Sequence, residues 1–574
     1  MKVLFTIFCF VSLINYSFSQ SKWTGNTTPT YSELIDHLKS VSKNHSEVEL
    51  YAMGSSDYGL PIYVCIVNGA QDSLRTFEKA RNETTILINN AIHPGEPDGI
   101  NACLIWLDKW ITEGKKVDNL PVIAFIPTYN VGGMIIRSST SRANQNGPDE
   151  YGFRGNARNL DLNRDFIKMD SENAFTFCNI FHALEPDVFV DNHVSNGADY
   201  QYTLTYISQM KERMAPSLRN LVYGSMLPEM TKNLRGEKWD LFPYVELKGE
   251  TPDEGIYAFN DLPRYAMGYA GLFNSISFTV ETHMLKPFPE RVQATLAFME
   301  ELIDWTQNNA NRIEHSRKKA NNWVQDQTWF RFNYELSEEK DSINFKGYEQ
   351  SFPENEITGL KRLFYDRSKP YQKMIPYFNR YNSKDSVRVP DFYIVGGQEK
   401  EVIRRLEMNR IQFRKMLKDS MIDVQSFVVS NFKSSERPYE GHFKHKEMNY
   451  ELKDLKYQLK SGDLIVPTKQ NSAMFIHSVL QPKAEDSYFS WNFFDSYLQE
   501  KEYFSNYVFI DKIQEILDSD FKLKEEYMHK KNDDESFRNS EWQQLYFIYA
   551  NSKYFESSFM RLPIFQIPTK KDKN

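Results

Sequence analysis

The feature that most constrains this chain is alternation. Short apolar runs at residues 62–67, 85–92, 122–126, 188–190 and 275–280 are separated by segments whose apolar residues recur at helical spacing. Runs this short and this apolar read as strands buried on both faces. Strands separated by helices point to parallel pairing, because a parallel crossover needs a dozen or more residues. The fold expected for residues 21–310 is therefore α/β, a mixed, mostly parallel sheet flanked by helices. Ligands of such sheets gather at the carboxyl ends of the strands.

The chain has 574 residues, more than one typical core holds, so two domains are expected. A helix over about residues 289–306 closes the first. The polar, charge-rich segment 311–335 reads as a linker. Residues 336–574 read as a smaller α+β domain without an assigned role. In it, 392–395, 424–429 and 464–466 read as strands, and 399–409, 491–504 and 509–517 as helices. Gly396-Gly397 lacks a phosphate-loop lysine and reads as a turn.

The N-terminus reads as a signal peptide over residues 1–20. Lys2 supplies the positive end, 3–14 is mostly apolar, and Ser17-Phe18-Ser19 offers small residues for cleavage. The apolar part is too short for a comfortable membrane span, and no later segment is long and apolar enough for one. Export to the periplasm or the exterior is the expectation. Cys9 would leave with the signal. Cys65, Cys103 and Cys178 are too scattered for a disulfide framework or a zinc ribbon, so the exported protein would rely on its core. The 33 Tyr and 41 Phe are ample material for one. A net charge of −8 without a basic stripe argues against nucleic acid as a partner.

The chemistry gathers at strand ends. His93-Pro94-Gly95-Glu96 lies between the run 85–92 and a helical pattern carrying Ile100, Cys103, Leu104, Leu107 and Ile111. A tight turn there would fix two metal ligands on one piece of backbone. His193 follows the run 188–190, at the end of another strand of the same expected sheet. Two histidines and a glutamate form a catalytic zinc set that leaves one position for water. Glu281 closes the run 275–280, where a carboxylate needs a role or a partner. Facing zinc, it could take a proton from water and deliver it to a leaving amine. Asp161-Leu162-Asn163-Arg164 adds a guanidinium fork and an amide suited to a terminal carboxylate, and Asp161 could orient His93.

Together these residues resemble the M14 zinc carboxypeptidase family over about residues 30–305. His93 and Glu96 match its H-x-x-E ligands, and His193 its third ligand. Residues 161–164 match its D-x-N-R segment, and Glu281 its general base. The opening stretch, with Ser55-Ser56-Asp57-Tyr58-Gly59-Leu60-Pro61-Ile62, also resembles the family's. The resemblance implies one Zn2+, a peptide or protein substrate with a free C-terminus, and hydrolysis by metal-activated water. It also implies an arginine that stabilises the oxyanion. Ser141-Arg142-Ala143-Asn144 is the best match for it, with Arg137 as competitor. The family's mobile tyrosine falls on Tyr257 or Tyr265. Asn130-Val131-Gly132-Gly133 departs from the more common N-P-D-G.

Two other activities fit the same motifs: an aspartoacylase-like deacylation of N-acyl amino acids, and cleavage of cell-wall peptide amides. Pro94-Gly95 and the opening stretch favour the peptidase. His442-Phe443-Lys444-His445 has ligand-like spacing but sits in a charged stretch and reads as a solvated loop. His283 stands either behind Glu281 or in solvent.

Overall fold

The computed structural model describes residues 22–114 and 119–569; the expected signal peptide lies outside them. An eight-stranded sheet organises the first half. Its strands are β1 (Val48–Ser55), β2 (Pro61–Val67), β3 (Thr85–Asn89), β4 (Val122–Ile126), β5 (Val188–Ser195), β6 (Leu204–Ser208), β7 (Leu241–Pro243) and β10 (Ile276–His283). Their order is β1-β2-β4-β3-β5-β10-β6-β7. The central run β4-β3-β5-β10 is parallel, β1 and β2 pair antiparallel with their neighbours, and β6 pairs antiparallel with β10 but parallel with β7. Every residue of β3, β4 and β5 is buried, as expected of strands covered on both faces.

The helices follow from their caps and stripes. Tyr31–Asn44 opens with a capping box, in which Thr30 and Glu33 satisfy each other's backbone N–H, and buries Leu34, Ile35 and Leu38. Asp98–Thr112 buries most of its length between the sheet and the helix Phe288–Gln325. Asp98 is buried and receives Nε of Arg291 at 2.9 Å, which ties the two helices together.

Two strand ends lie further along than the sequence reading placed them. β5 runs past 190 to Ser195, so His193 lies inside the strand, and β10 runs past 280 to His283. The linker expected over 311–335 is not there. The closing helix bends at Asn309 and continues to Gln325, and a strand, β11 (Trp329–Leu336), follows at once. The reason is a sparse apolar stripe: Ile313, Ala320 and Val324 face inward while the many charged neighbours face water. Composition alone reads such a stretch as linker.

Residues beyond 336 form further sheets. β12 (Asp341–Ser351) and β13 (Phe364–Phe378) extend a four-stranded sheet with β8 (Glu246–Leu247) and β9 (Ile256–Tyr257) of the first half. A six-stranded sheet holds 392–395, 414–415, 420–434, 445–459, 464–467 and 561–567. Helices between 506 and 550 pack around Phe509, Leu545 and Ile548. The segment 491–504, expected as helix, is a turn, a short 3-10 stretch at Asp495–Leu498 and irregular chain after it. Buried Trp491 stacks on Tyr439 at its start. One apolar core runs from Trp23 through both halves to Ile564. No helix of the described residues is long and apolar enough to cross a membrane.

Candidate active site

At the end of β3 the chain turns through Ala91, whose φ is +55°. The amide of Asn90 donates to Ile126 O at 3.0 Å and so pins this exit to β4. The amide of Glu96 then donates to His93 O at 2.8 Å, closing the H-P-G-E turn. Gly95 is needed there, because a Cβ would lie 3.1 Å from Gly152 O and 2.8 Å from Arg142 Cδ. The turn sets the buried side chains of His93 and Glu96 side by side.

His193 reaches the same point from β5. Its Nδ1 lies 3.0 Å from Glu96 Oε2, and His93 Nδ1 lies 3.3 Å from Glu96 Oε1. Each imidazole turns Nε2 to an aspartate: His93 to Asp161 at 2.9 Å, and His193 to Asp191 at 2.6 Å. A carboxylate at Nε2 keeps the proton there and leaves Nδ1 as a lone pair. The three ligand atoms lie within 4.8 Å of one another, and among the described residues this is the single cluster suited to a metal. His93 Nδ1 is buried without a hydrogen-bond partner. A buried lone pair beside a second one and a carboxylate fits a divalent cation of zinc's preferences.

Electrostatics support the arrangement. Burial raises the Glu96 pKa, but Arg142 and His93 outweigh it and hold the carboxyl well below its ordinary range. Glu281 behaves differently. Burial, reinforced by Glu96 and opposed by His193, pushes it up to about 8. Glu281 is the register partner of His193 on the adjacent strand, and its Oε2 is enclosed without a hydrogen-bond partner.

The remaining candidates line the same cleft. Arg142 donates to Glu96 Oε1 at 2.5 Å and to Val194 O at 3.1 Å. Its competitor Arg137 points elsewhere, donating to the carbonyls of Thr28, Pro29 and Glu150. Leu162–Arg164 forms a 3-10 turn capped by Asp161. Asn163 Oδ1 accepts from Ala266 N at 3.0 Å, and the Arg164 guanidinium lies 4.7 Å from the Tyr265 ring centre. Tyr265 lines the cleft with Tyr244 and Phe259, whereas Tyr257 sits in β9. Asn130 caps a short helix, Val131–Ile135, and braces the exit of β3 by donating to Ile92 O.

Several residues escaped the sequence reading. Asp191 is two positions before His193 on one strand, so period-two alternation puts both on one face, and that signal could have found it. Arg154 binds Asp161 Oδ2 at 2.9 Å and lies 3.5 Å from Glu96 Oε1. It comes from irregular chain, where spacing carries no signal. His283 is neither behind Glu281 nor exposed: it is buried, with Nε2 at 2.8 Å from Ala198 O. His442 and His445 are not in a solvated loop. His442 pairs with Asp170 and buried His445 with Asp495. Cys65, Cys103 and Cys178 are buried and unbridged.

The zinc carboxypeptidase family model matches residues 34–209. No curated protein matches the sequence. Among solved structures, a metallo-carboxypeptidase from Burkholderia cenocepacia is 14% identical, covering 49% of this chain and 69% of its own, with a TM-score of 0.36. Carboxypeptidase A from Helicoverpa armigera is 14% identical, covering 51% and 75%, at 0.37. A metallo-carboxypeptidase from Pseudomonas aeruginosa is 13% identical, covering 49% and 68%, at 0.35. The family match takes in the H-x-x-E turn, the D-x-N-R segment and His193 and ends before Glu281, so it is over residues 34–209 that this chain is similar to the zinc carboxypeptidases.

Proposed function

We propose that this protein is an exported carboxypeptidase that removes residues from the free C-terminus of peptides or proteins. The observation that carries the reading is the placement of Glu281. Its carboxylate has no hydrogen-bond partner at one oxygen, and it lines one cleft with the ligand cluster and with Asn163 and Arg164. Base, metal cluster and carboxylate anchor thus share one space, as the removal of a terminal residue requires.

His93, Glu96 and His193 would hold one zinc ion, with Asp161 and Asp191 keeping the two imidazoles in the ligating tautomer. Zinc would supply Lewis acidity, lowering the pKa of water and drawing charge from a carbonyl. Asn163 and Arg164 hold the terminal carboxylate by neutral and charged donors. Arg142 turns its guanidinium to the charge that develops on the scissile carbonyl oxygen. Glu281, whose raised pKa an adjacent cation would bring down, takes the proton of the attacking water and returns it to the leaving nitrogen. Export rests on the residue pattern of 1–20.

Digestion of a peptide library with mass analysis of the products tests the reading. Stepwise loss of single C-terminal residues is expected, whereas internal cuts alone, or release of acyl groups alone, would refute it. Glu281→Gln should keep its zinc while losing at least a hundredfold in kcat. Normal turnover would remove Glu281 from the base role. Arg164→Ala should raise KM for free-acid peptides far more than for C-terminally amidated ones, and equal effects would argue against carboxylate capture.

A further inference from the structure

The cleft is built by residues of the first half, yet two of the segments that shape it are tethered from the second. The strands Ser420–Ser434 and His445–Leu459 are joined by a loop whose tip is Tyr439-Glu440-Gly441-His442. Tyr439 and His442 exchange backbone hydrogen bonds of 2.8 and 3.1 Å, and Glu440 and Gly441 both have positive φ, at +50° and +82°. Two such residues closed by that pair make a tight hairpin turn that gives the tip a fixed direction. The direction is toward the D-x-N-R segment. Glu440 Oε2 accepts the backbone N–H of Asp161 at 2.8 Å, across 279 residues of sequence. Next to it, His442 Nε2 lies 2.8 Å from Asp170 Oδ2.

Asp161 is the hinge of this arrangement. Its Oδ1 faces His93 Nε2 at 2.9 Å and accepts from Asn163 N at 2.9 Å. The segment packed against it, whose Tyr265 ring lies beside the Arg164 guanidinium, is anchored in the same way. Arg264, just before Tyr265, gives its backbone N–H to Asp486 at 3.0 Å and its guanidinium to Glu485 at 2.8 Å.

We propose that Glu440 is a positioning residue of the active site. By holding the Asp161 N–H it fixes the turn from which Asp161 aligns His93 and from which Asn163 and Arg164 face the cleft. The second half of the chain is thereby a working part of the catalytic centre. The effect on substrate rests on the carboxypeptidase reading; the effect on His93 does not.

The test uses the full-length, zinc-loaded protein and three variants: Glu440→Ala, Glu440→Gln, which keeps a carbonyl acceptor, and Glu440→Asp, which keeps the charge but withdraws the oxygen. Loss of a charge-assisted hydrogen bond predicts that Ala and Asp raise KM for free-acid peptides about tenfold, with kcat within about twofold of wild type. Gln should restore KM to within about threefold. Competition for Zn2+ with a chelator should show the same ranking, with Ala and Asp losing zinc several times more readily than Gln. If all three variants match the wild type in KM and zinc affinity, or if Gln fails together with Ala, the proposal is wrong. If the wild type cleaves no free-acid peptide, the functional reading falls, and the zinc ranking alone decides the role of Glu440. An Ala variant that does not fold leaves the Asp and Gln pair to decide it in the same way.

Discussion

An imidazole offers a lone pair to a metal only where its other nitrogen is made to keep the proton. Asp191 does this for His193 from within the same strand, at 2.6 Å. Asp191→Asn keeps the shape and removes the charge. Such a change beside a metal-binding histidine costs on the order of 10–100-fold in metal affinity or activity. The variant should lose zinc to a chelator at roughly 10-fold lower chelator concentration than wild type, with the fold intact by circular dichroism. Unchanged zinc retention would show that Asp191 does not set the tautomer. At this scale the convergence of His93, Glu96 and His193, with Glu281 beside them, was legible, because each closes or follows an apolar run of the one sheet. Arg142 was legible through its motif, and the structure brings it rather than Arg137 into the cleft. Arg154 and Glu440 were not, since neither stands in a periodic element and both act through contacts between distant parts of the chain.

Elements were legible where burial imposes a period. The runs of β3, β4 and β10, and the strand–turn–helix at 392–409, lie close to where apolar pattern put them. The helix Phe288–Gln325 was half legible, because its later turns bury so few side chains. Its first turns depend on a feature no pattern reveals. Arg291 is fully buried, pairs with Asp98, and donates to the carbonyls of Asn146, Gly147 and Lys286. Asp98 also accepts from the hydroxyl of Thr282, so one carboxylate joins a helix start, β10 and the closing helix. Removing one member of a buried pair strands the other, which costs about 3–5 kcal/mol. Arg291→Leu should therefore lower unfolding stability by that amount in urea titrations. Restoring a neutral partner with Asp98→Asn in the same chain should recover part of it, because the stranded charge is gone. Strict additivity of the two changes would indicate that they do not interact.

At the scale of the molecule, the expectation of two separate domains meets a chain whose halves share strands and core. β13 pairs with β9, and Tyr393, Phe475 and Trp491 belong to the same apolar cluster as Leu34 and Ile88. Such joining depends on packing between segments hundreds of residues apart, which local pattern does not encode. It also buries polar groups in both halves. His477, on the helix Ala473–Leu480, lies between Phe330 and Tyr393, and burial pushes its pKa down to about 3. His182, near Tyr269 and Asn409, is pushed down to about 4 for the same reason. Both are neutral in the folded protein near neutrality, while in the unfolded chain they gain a proton near pH 6.5. The unfolded state then binds more protons, so stability falls as pH drops below about 6.5 and stops falling only near the folded values. Asp261, pushed up to about 6 by burial, works in the opposite sense between its folded value and the ordinary aspartate range near 4, so the net slope is read best by difference. Between pH 7.5 and 5.5 each histidine accounts for about 1.4 kcal/mol of lost stability. His477→Gln cannot take up that proton. Urea unfolding of the zinc-loaded protein at the two pH values should show the variant losing about 1.4 kcal/mol less than wild type on acidification, whatever its stability at pH 7.5. Equal losses would mean that His477 is protonated in the folded protein and that the core around it admits water.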